Sequence, residues 1–155
     1  MDYSFKEKSV IASLGVTLLI FGWFFYRAFS NLSLWTGNEQ LSVNDIITAI
    51  ILIAILESII QSFFAIKNKN EEDERDKLIQ LSSYRNGYWV LCIGVWFLIT
   101  HLLFEATGDW FNFYHNLIFS SPAFISHLLL LFFVLAEVTN FIPQLYYYRK
   151  GIKVV

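Results

Sequence analysis

Two glutamates stand inside long apolar stretches of this sequence, at positions 57 and 137. An acidic side chain in hydrocarbon costs at least about 2.5–3.5 kcal/mol, so both carboxyls are expected to face other helices and not lipid. Counted from the same end of their helices at about 1.5 Å per residue, they lie about 13 and 16 Å deep, where they could meet. We therefore predict an intramembrane polar site, which consists of Glu57, Gln61, Glu137, Asn140 and Gln144.

The expected chemistry of this polar site is the handling of a proton, an ion or a small ligand. If the two carboxyls meet, burial and like charge favour a proton on one of them at neutral pH. An ion-coupled carrier would bind and release its ion there, and a sensor would hold a small ligand in the same cavity. Hydrogen bonds that only join helices would explain the same residues. Pro143, which is expected to bend its helix, fits all of these interpretations.

Histidines and carboxylates near the other end of the apolar stretches raise the possibility of a metal site. His101, Glu105 and Asp109 recur every four residues, a spacing that places them on one helix face. Such side chains are ligands for zinc and similar metals, and two histidines at one depth could hold a haem. No cofactor is expected, and the alternative is an outer-face metal or haem site that draws on His101, Glu105, Asp109, His115 and His127.

An enzyme is not expected from this sequence. It contains no glycine-rich phosphate loop and no recognisable pairing of a nucleophile with a base. Cys92 is the only cysteine, which excludes an internal disulfide and a cage of several thiolates.

The residues above must be positioned by membrane-spanning helices. The chain is 56% hydrophobic and 15% charged, against about 45–50% and about 25% in soluble domains. Its apolar runs are apolar all round, and each is near or above the ~17–25 residues that a spanning helix needs. We predict an all-α, four-helix transmembrane bundle in a single domain, residues 1–155, with helices near 9–29, 44–67, 72–107 and 122–149.

The basic residues predict the orientation of this bundle. If the N-terminus is cytoplasmic, Arg27 is the one member of the 11 lysines and arginines that falls outside. This bias follows the positive-inside rule, so both termini are expected in the cytoplasm of a cell as parts of a multi-pass membrane protein. The same bias argues against a dual-topology antiparallel dimer.

A charged connection, residues 67–86, separates the second and third apolar runs. Glu71 with Arg75 and Asp73 with Lys77 are favourable i,i+4 pairs, which predict that the third helix begins near Glu72 and extends into the cytoplasm. The stretch is either a solvated helix start that sets topology or a docking surface for a cytoplasmic partner. The docking interpretation uses Asp73, Glu74, Arg75, Asp76, Tyr84 and Arg85.

Two segments, DERDKLIQLSSYRNGYWVL and AEVTNFIPQLYYYRKG, resemble a DUF2178-like family of small prokaryotic four-helix membrane proteins. The resemblance covers about a third of the chain in detail, and it makes the DERD motif, the Tyr-Arg that follows it and the terminal tyrosines signature positions. It implies signalling or regulation, with a helix-turn-helix regulator as the cytoplasmic partner. Separately, no direct contact of this chain with nucleic acid is expected.

These observations lead to three function hypotheses. The first is a membrane sensor or regulatory subunit that couples a membrane or outer-face signal to a cytoplasmic partner through the charged segment 71–85. The second is a small transporter or ion-coupled carrier that uses Glu57 and Glu137, and the third is the outer-face metal or haem site. Small residues that allow close helix contact also predict a homodimer: Ala12, Gly15, Gly22, Gly87 and Gly94.

Overall fold

The computed structural model describes residues 5–30, 43–67, 74–106 and 122–150, and all of them are helical. The helices are α1 (Phe5–Ser30), α2 (Val43–Lys67), α3 (Glu74–Ala106) and α4 (Pro122–Lys150). All four are long and apolar enough to cross a membrane. The prediction of an all-α fold with four helices long and apolar enough to span a membrane is therefore confirmed for the described residues.

The helices are suited to an apolar environment because their polar backbone groups are paired within each helix. Exposed hydroxyls follow the same rule by donating to the carbonyl oxygen four residues earlier. Thr48 donates to Asn44, Ser58 to Ala54, Thr100 to Trp96 and Ser126 to Pro122, at 2.7–2.8 Å. Large apolar side chains are exposed on all four helices, as contact with a lipid bilayer requires.

Helix α4 is the central element of the arrangement. It packs most extensively against α3, then against α1, and it touches α2, which packs mainly along α1. The start of α1 and the end of α4 lie together, because Glu7 Oε1 is 3.3 Å from Arg149 Nε. We call this the terminal end of the bundle and the opposite end the loop end. The cytoplasmic location of the terminal end stays a prediction.

An aromatic and aliphatic core occupies the loop end. Phe24 and Phe25 contact each other edge to face, and Phe24 stacks on the ring of His127 with centroids 5.4 Å apart. The cluster joins α1, α2 and α4, and its buried members are Phe21, Phe24, Phe25, Ile46, Ala49, Leu130 and Val134. This cluster holds the three helices together at the loop end, and apart from His127 the buried polar side chains of α1 and α4 lie farther toward the terminal end.

Two glycines of α3 permit its close approach to α4. A Cβ added at Gly87 would lie 2.8 Å from the carbonyl oxygen of Ala136, and one at Gly94 would overlap the ring of Phe132. A backbone oxygen cannot turn aside as a side chain can, so Gly87 is the stricter requirement. Among the described residues, nothing lies within 4 Å of the equivalent position at Gly15 or Gly22 of α1, so these glycines do not serve a close contact between the described helices.

Candidate functional site

The middle of the bundle contains a buried hydrogen bond between α1 and α2. Ser13 Oγ donates to Glu57 Oε2 over 2.9 Å. Ser13 is almost completely buried, and its small side chain allows α2 to approach α1 while supplying the donor that a carboxylate needs in an apolar environment. Ser13 and its neighbour one turn on, Thr17, are the buried polar side chains of the otherwise apolar middle of α1.

The second oxygen of the same carboxyl, Glu57 Oε1, is shielded from solvent and has no hydrogen-bond partner among the described residues. Glu137 of α4 is half-buried and lies within electrostatic range of Glu57. Ser13 and Glu57 are in contact, and Glu137 lies within electrostatic range of Glu57, where α1, α2 and α4 meet. We call these three residues the acid site. Two like charges in a low-dielectric interior repel each other strongly.

The remaining members of the predicted polar site take other places. Asn140 and Gln144 are buried and satisfy each other, since Gln144 Nε2 donates to Asn140 Oδ1 over 2.9 Å. Asn140 also lies beside Gly87, at the contact between α3 and α4. These two amides therefore form a separate pair within α4, one turn apart, that faces α3.

Gln61 corrects the prediction, because its side chain is exposed on α2. Gln61 follows Glu57 by four residues, about one helical turn, so the spacing alone predicts that both lie on a similar face of α2. The strip of α2 that packs against α1 and α4 is narrow, however, and the side chains on either side of it face outward. Gln61 lies on one of these outward-facing sides, so its amide is exposed at the surface of the bundle.

The terminal end carries a second set of charged residues, in which opposite charges are paired between helices. Lys6 Nζ of α1 is 3.0 Å from Asp76 Oδ2 of α3, and both side chains are mostly covered, at 18% and 23% exposure. The next residue of α1, Glu7, pairs with Arg149 of α4 and is itself buried. Tyr148 precedes Arg149 in α4, and its hydroxyl is shielded from solvent. We call these five residues the terminal layer.

The predicted partner surface is partly exposed and partly engaged within the chain. Glu74, Arg75, Tyr84 and Arg85 are exposed on the first turns of α3. Asp76 corrects the prediction: it turns inward to Lys6 and is not available as a free surface charge. Asp73 lies outside the described residues, as do the acids Glu71 and Glu72.

The predicted metal or haem ligands are only partly described. His127 is buried, stacks on Phe24, and its Nδ1 lies 2.7 Å from the carbonyl oxygen of Ala123. His101 is half-buried on α3, while the side chain of Glu105 and all of Asp109 and His115 lie outside the described part. Within the described helices, no three His, Cys, Asp or Glu side chains form a group suited to a metal ion.

Comparisons with protein-family models, with curated proteins and with solved structures gave no match. The resemblance to the DUF2178-like family stays a prediction.

Sequence reasoning missed the partners of both sites. Ser13 supplies the hydrogen bond to Glu57, and Lys6 and Glu7 each hold a charged residue of another helix. A usable signal was present: Glu7 stands between two lysines in the first turns of α1, and Ser13 precedes Thr17 by one turn in an apolar run. Polar residues that recur on one face of an apolar helix indicate a face turned toward other helices.

Proposed function

We propose that this chain is a multi-pass membrane sensor or regulatory subunit that responds to protonation of the acid site. The observation that supports this proposal is the shielded Oε1 of Glu57, which has no hydrogen-bond partner among the described residues and has a second carboxyl, Glu137, within electrostatic range. A buried acceptor without a donor is unfavourable. A proton bound by one of the two acids would supply the missing donor and remove the repulsion between them.

The number of oxygen ligands favours a proton over a metal ion as the bound species. Calcium takes six to eight oxygen ligands and magnesium an octahedral set, whereas the acid site offers two carboxyls and one hydroxyl whose hydrogen is already donated to Glu57. A shared proton needs only one oxygen from each acid.

Helix α1 provides the connection from the acid site to a possible output. Ser13 contacts Glu57, and Lys6 and Glu7 lie about two turns toward the terminal end of the same helix. A change in how α1 contacts α2 would therefore reach the helix starts beside the exposed turns of α3. In this proposal the exposed residues Glu74, Arg75, Tyr84 and Arg85 contact a cytoplasmic partner, for which the family resemblance suggests a helix-turn-helix regulator.

Infrared difference spectroscopy between acid and alkaline pH, on protein in lipid nanodiscs, tests the bound proton. We expect a carboxylic-acid band that titrates separately from the exposed acids and that is lost in both Glu57→Gln and Glu137→Gln. Glu74→Gln is the matched control because Glu74 is exposed, and it should leave the band unchanged. A band that persists in both interior variants would contradict the proposal.

An ion-coupled carrier is the second candidate, and the packing of α2 favours it. Helix α2 packs mainly on α1, and most of its side chains face outward, so it could move with its carboxyl more easily than the central α4. Proton flux into proteoliposomes under a pH gradient separates the candidates. A carrier shows flux that Glu57→Gln abolishes, whereas a sensor shows the titrating band without flux above that of protein-free liposomes.

A further inference from the structure

The three helices of the acid site differ in composition on its two sides. Toward the loop end, α1 has the sequence LLIFGWFF over residues 18–25, α2 has AIILIAIL over 49–56, and α4 has LLLLFFVLA over 128–136. No charged, amide or hydroxyl side chain occurs in any of these stretches. An apolar barrier of about two helical turns therefore separates the acid site from the loop end on all three helices.

The packing of the loop end closes this barrier. The aromatic and aliphatic core joins α1, α2 and α4 there, and each of its buried members is at most 9% exposed. The rings of Phe24 and Phe25 lie 5.0 Å apart, and Ile53 packs against the same core one turn from Glu57. Interiors packed in this way have few voids that could hold water.

Toward the terminal end, polar side chains continue from the acid site along α2. Ser58 follows Glu57 directly, Gln61 and Ser62 follow about one turn later, and all three are exposed. Residues three and four apart are neighbours on a helix surface, so these side chains form one patch. We call Ser58, Gln61 and Ser62 the polar flank. Glu57 is only half-buried, which leaves part of its side chain at the surface beside this flank.

Helix α1 carries a polar side chain at the same level. The hydrogen bond from Ser13 to Glu57 sets the register of the two antiparallel helices. Ser9, one turn before Ser13, therefore lies level with Gln61, one turn after Glu57. Ser9 is half-buried, so both helices place polar groups on the terminal side of the acid site.

The acid site also lies closer to the terminal end of the apolar span. In α2 this span is Asn44–Phe64, so Glu57 lies about 10 Å from its terminal end and about 20 Å from its loop end. An amide without a hydrogen bond is unfavourable in hydrocarbon. The exposed Gln61, about 5 Å inside the terminal end of the span, thus favours water at this depth.

We propose that the acid site exchanges its proton with the terminal side of the membrane, through water held along the polar flank, and is closed to the loop side. A hydronium ion at the flank donates its proton to the carboxylate of Glu57 and leaves as water, and the reverse step releases the proton. This inference rests on the proposed function and deepens it, because the sensor then reads the pH of one compartment. With the terminal end in the cytoplasm, as the basic residues predict, that compartment is the cytoplasm.

The charge that faces Glu57 from the helices packed on it is that of Glu137. Helix α1 carries no charged residue between Lys8 and Arg27, and α4 carries none between Glu137 and Arg149. The pH response of the site therefore belongs to the two acids.

Reaction with a charged, membrane-impermeant thiosulfonate tests this access in lipid nanodiscs, which leave both membrane sides open to the reagent. Ser58→Cys and Ile50→Cys, each in a Cys92→Ser background, are a matched pair because both positions are exposed and lie equally far from opposite ends of the apolar span. We expect Ser58→Cys to react at least about tenfold faster, since the reagent attacks a hydrated thiolate. Adding Gln61→Leu should slow this reaction severalfold, and Gln61→Asn should retain the rate.

Equal rates at the two cysteines, or a faster reaction at Ile50→Cys, would overturn access from the terminal side. An unchanged rate with Gln61→Leu would overturn the polar flank as its route. The infrared band of the acid site is read in separate samples. A fast reaction at Ser58→Cys without a band refutes the proposed function alone, and a band with equal rates refutes this access alone.

Discussion

The acid site and the terminal layer each join side chains of three helices, but their charges are arranged in opposite ways. In the acid site, two carboxyls lie within electrostatic range of each other, and one oxygen of Glu57 has no hydrogen-bond donor among the described residues. In the terminal layer, acids and bases alternate, so that Lys6 and Glu7, adjacent in sequence, each meet an opposite charge on a different helix. One region gathers charge that repels, and the other gathers charge that attracts.

This difference shows which region is expected to respond to its surroundings. Paired charges near a helix end stabilise an arrangement modestly and fix which helices meet. Repelling charges in a low-dielectric interior are costly unless a proton or another cation neutralises them. The interior acids are therefore the better candidate for the input of a signal, and the terminal pairs for the element that input displaces.

The largest expected effect on stability comes from a change in α3 that disturbs only one of the two regions. Helix α3 contributes Asp76 to the terminal layer and no residue to the acid site. Gly87→Ala places a Cβ 2.8 Å from the carbonyl oxygen of Ala136, so we expect a loss of about 3 kcal/mol in unfolding free energy. Unfolding in detergent by denaturant measures it.

Gly15→Ala is the matched control for Gly87→Ala, since nothing lies within 4 Å of its added Cβ. Alanine is the better helix former, so the change should be neutral or stabilise by up to about 1 kcal/mol. Equal losses in the two variants would show that the approach of α3 to α4 is not what Gly87 provides.

A smaller effect is expected within the acid site. Ser13→Ala removes the hydrogen bond to Glu57 Oε2 and leaves the carboxyl without a donor from α1, which should lower the unfolding free energy by about 2 kcal/mol. Ser58→Ala is the control, because the exposed Ser58 bonds only to the carbonyl oxygen of Ala54 in its own helix. If both serines proved equally dispensable, the hydrogen bond would not support the acid site.

The smallest effect is expected at the solvent-facing edge of the terminal layer. Arg149 is 62% exposed although its partner Glu7 is only 9% exposed, so solvent weakens the attraction between them. Arg149→Gln should cost below about 1 kcal/mol. Equilibrium unfolding at low and high salt measures it, and the loss should shrink at high salt. A salt-independent loss comparable to that of Ser13→Ala would contradict the contrast between the two regions.

The features of the fold that could be predicted from the sequence are those that one physical effect determines. Long runs that are apolar all round can only be satisfied as spanning helices, and four of them were recognised. Glu57 and Glu137 are both partly buried, as the high cost of an acid that faces lipid predicts, whereas their direct contact stays a prediction. No comparable cost applies to Gln61, and its exposed position could not be deduced from its spacing alone.

The pairing of the terminal layer could not be deduced because it depends on the order of the helices around the bundle. Lys6 and Asp76 are distant in sequence, and the basic residues of the first turns indicate orientation equally well whichever helix lies beside them. Ser13 was missed because a serine in a spanning helix can bond to its own backbone, as Ser58 does. Its role depends on which side chain faces it.

The most direct test of the acid site is a double-mutant cycle on Glu57→Gln and Glu137→Gln, measured by thermal unfolding in nanodiscs at acid and alkaline pH. At alkaline pH, each neutralisation should stabilise the protein, and the double variant should gain less than the sum, because either change alone removes the repulsion. At acid pH, protons already neutralise the pair and the coupling should diminish. Additive effects at both pH values would show that the two carboxyls do not act on each other, and would contradict the proposed input.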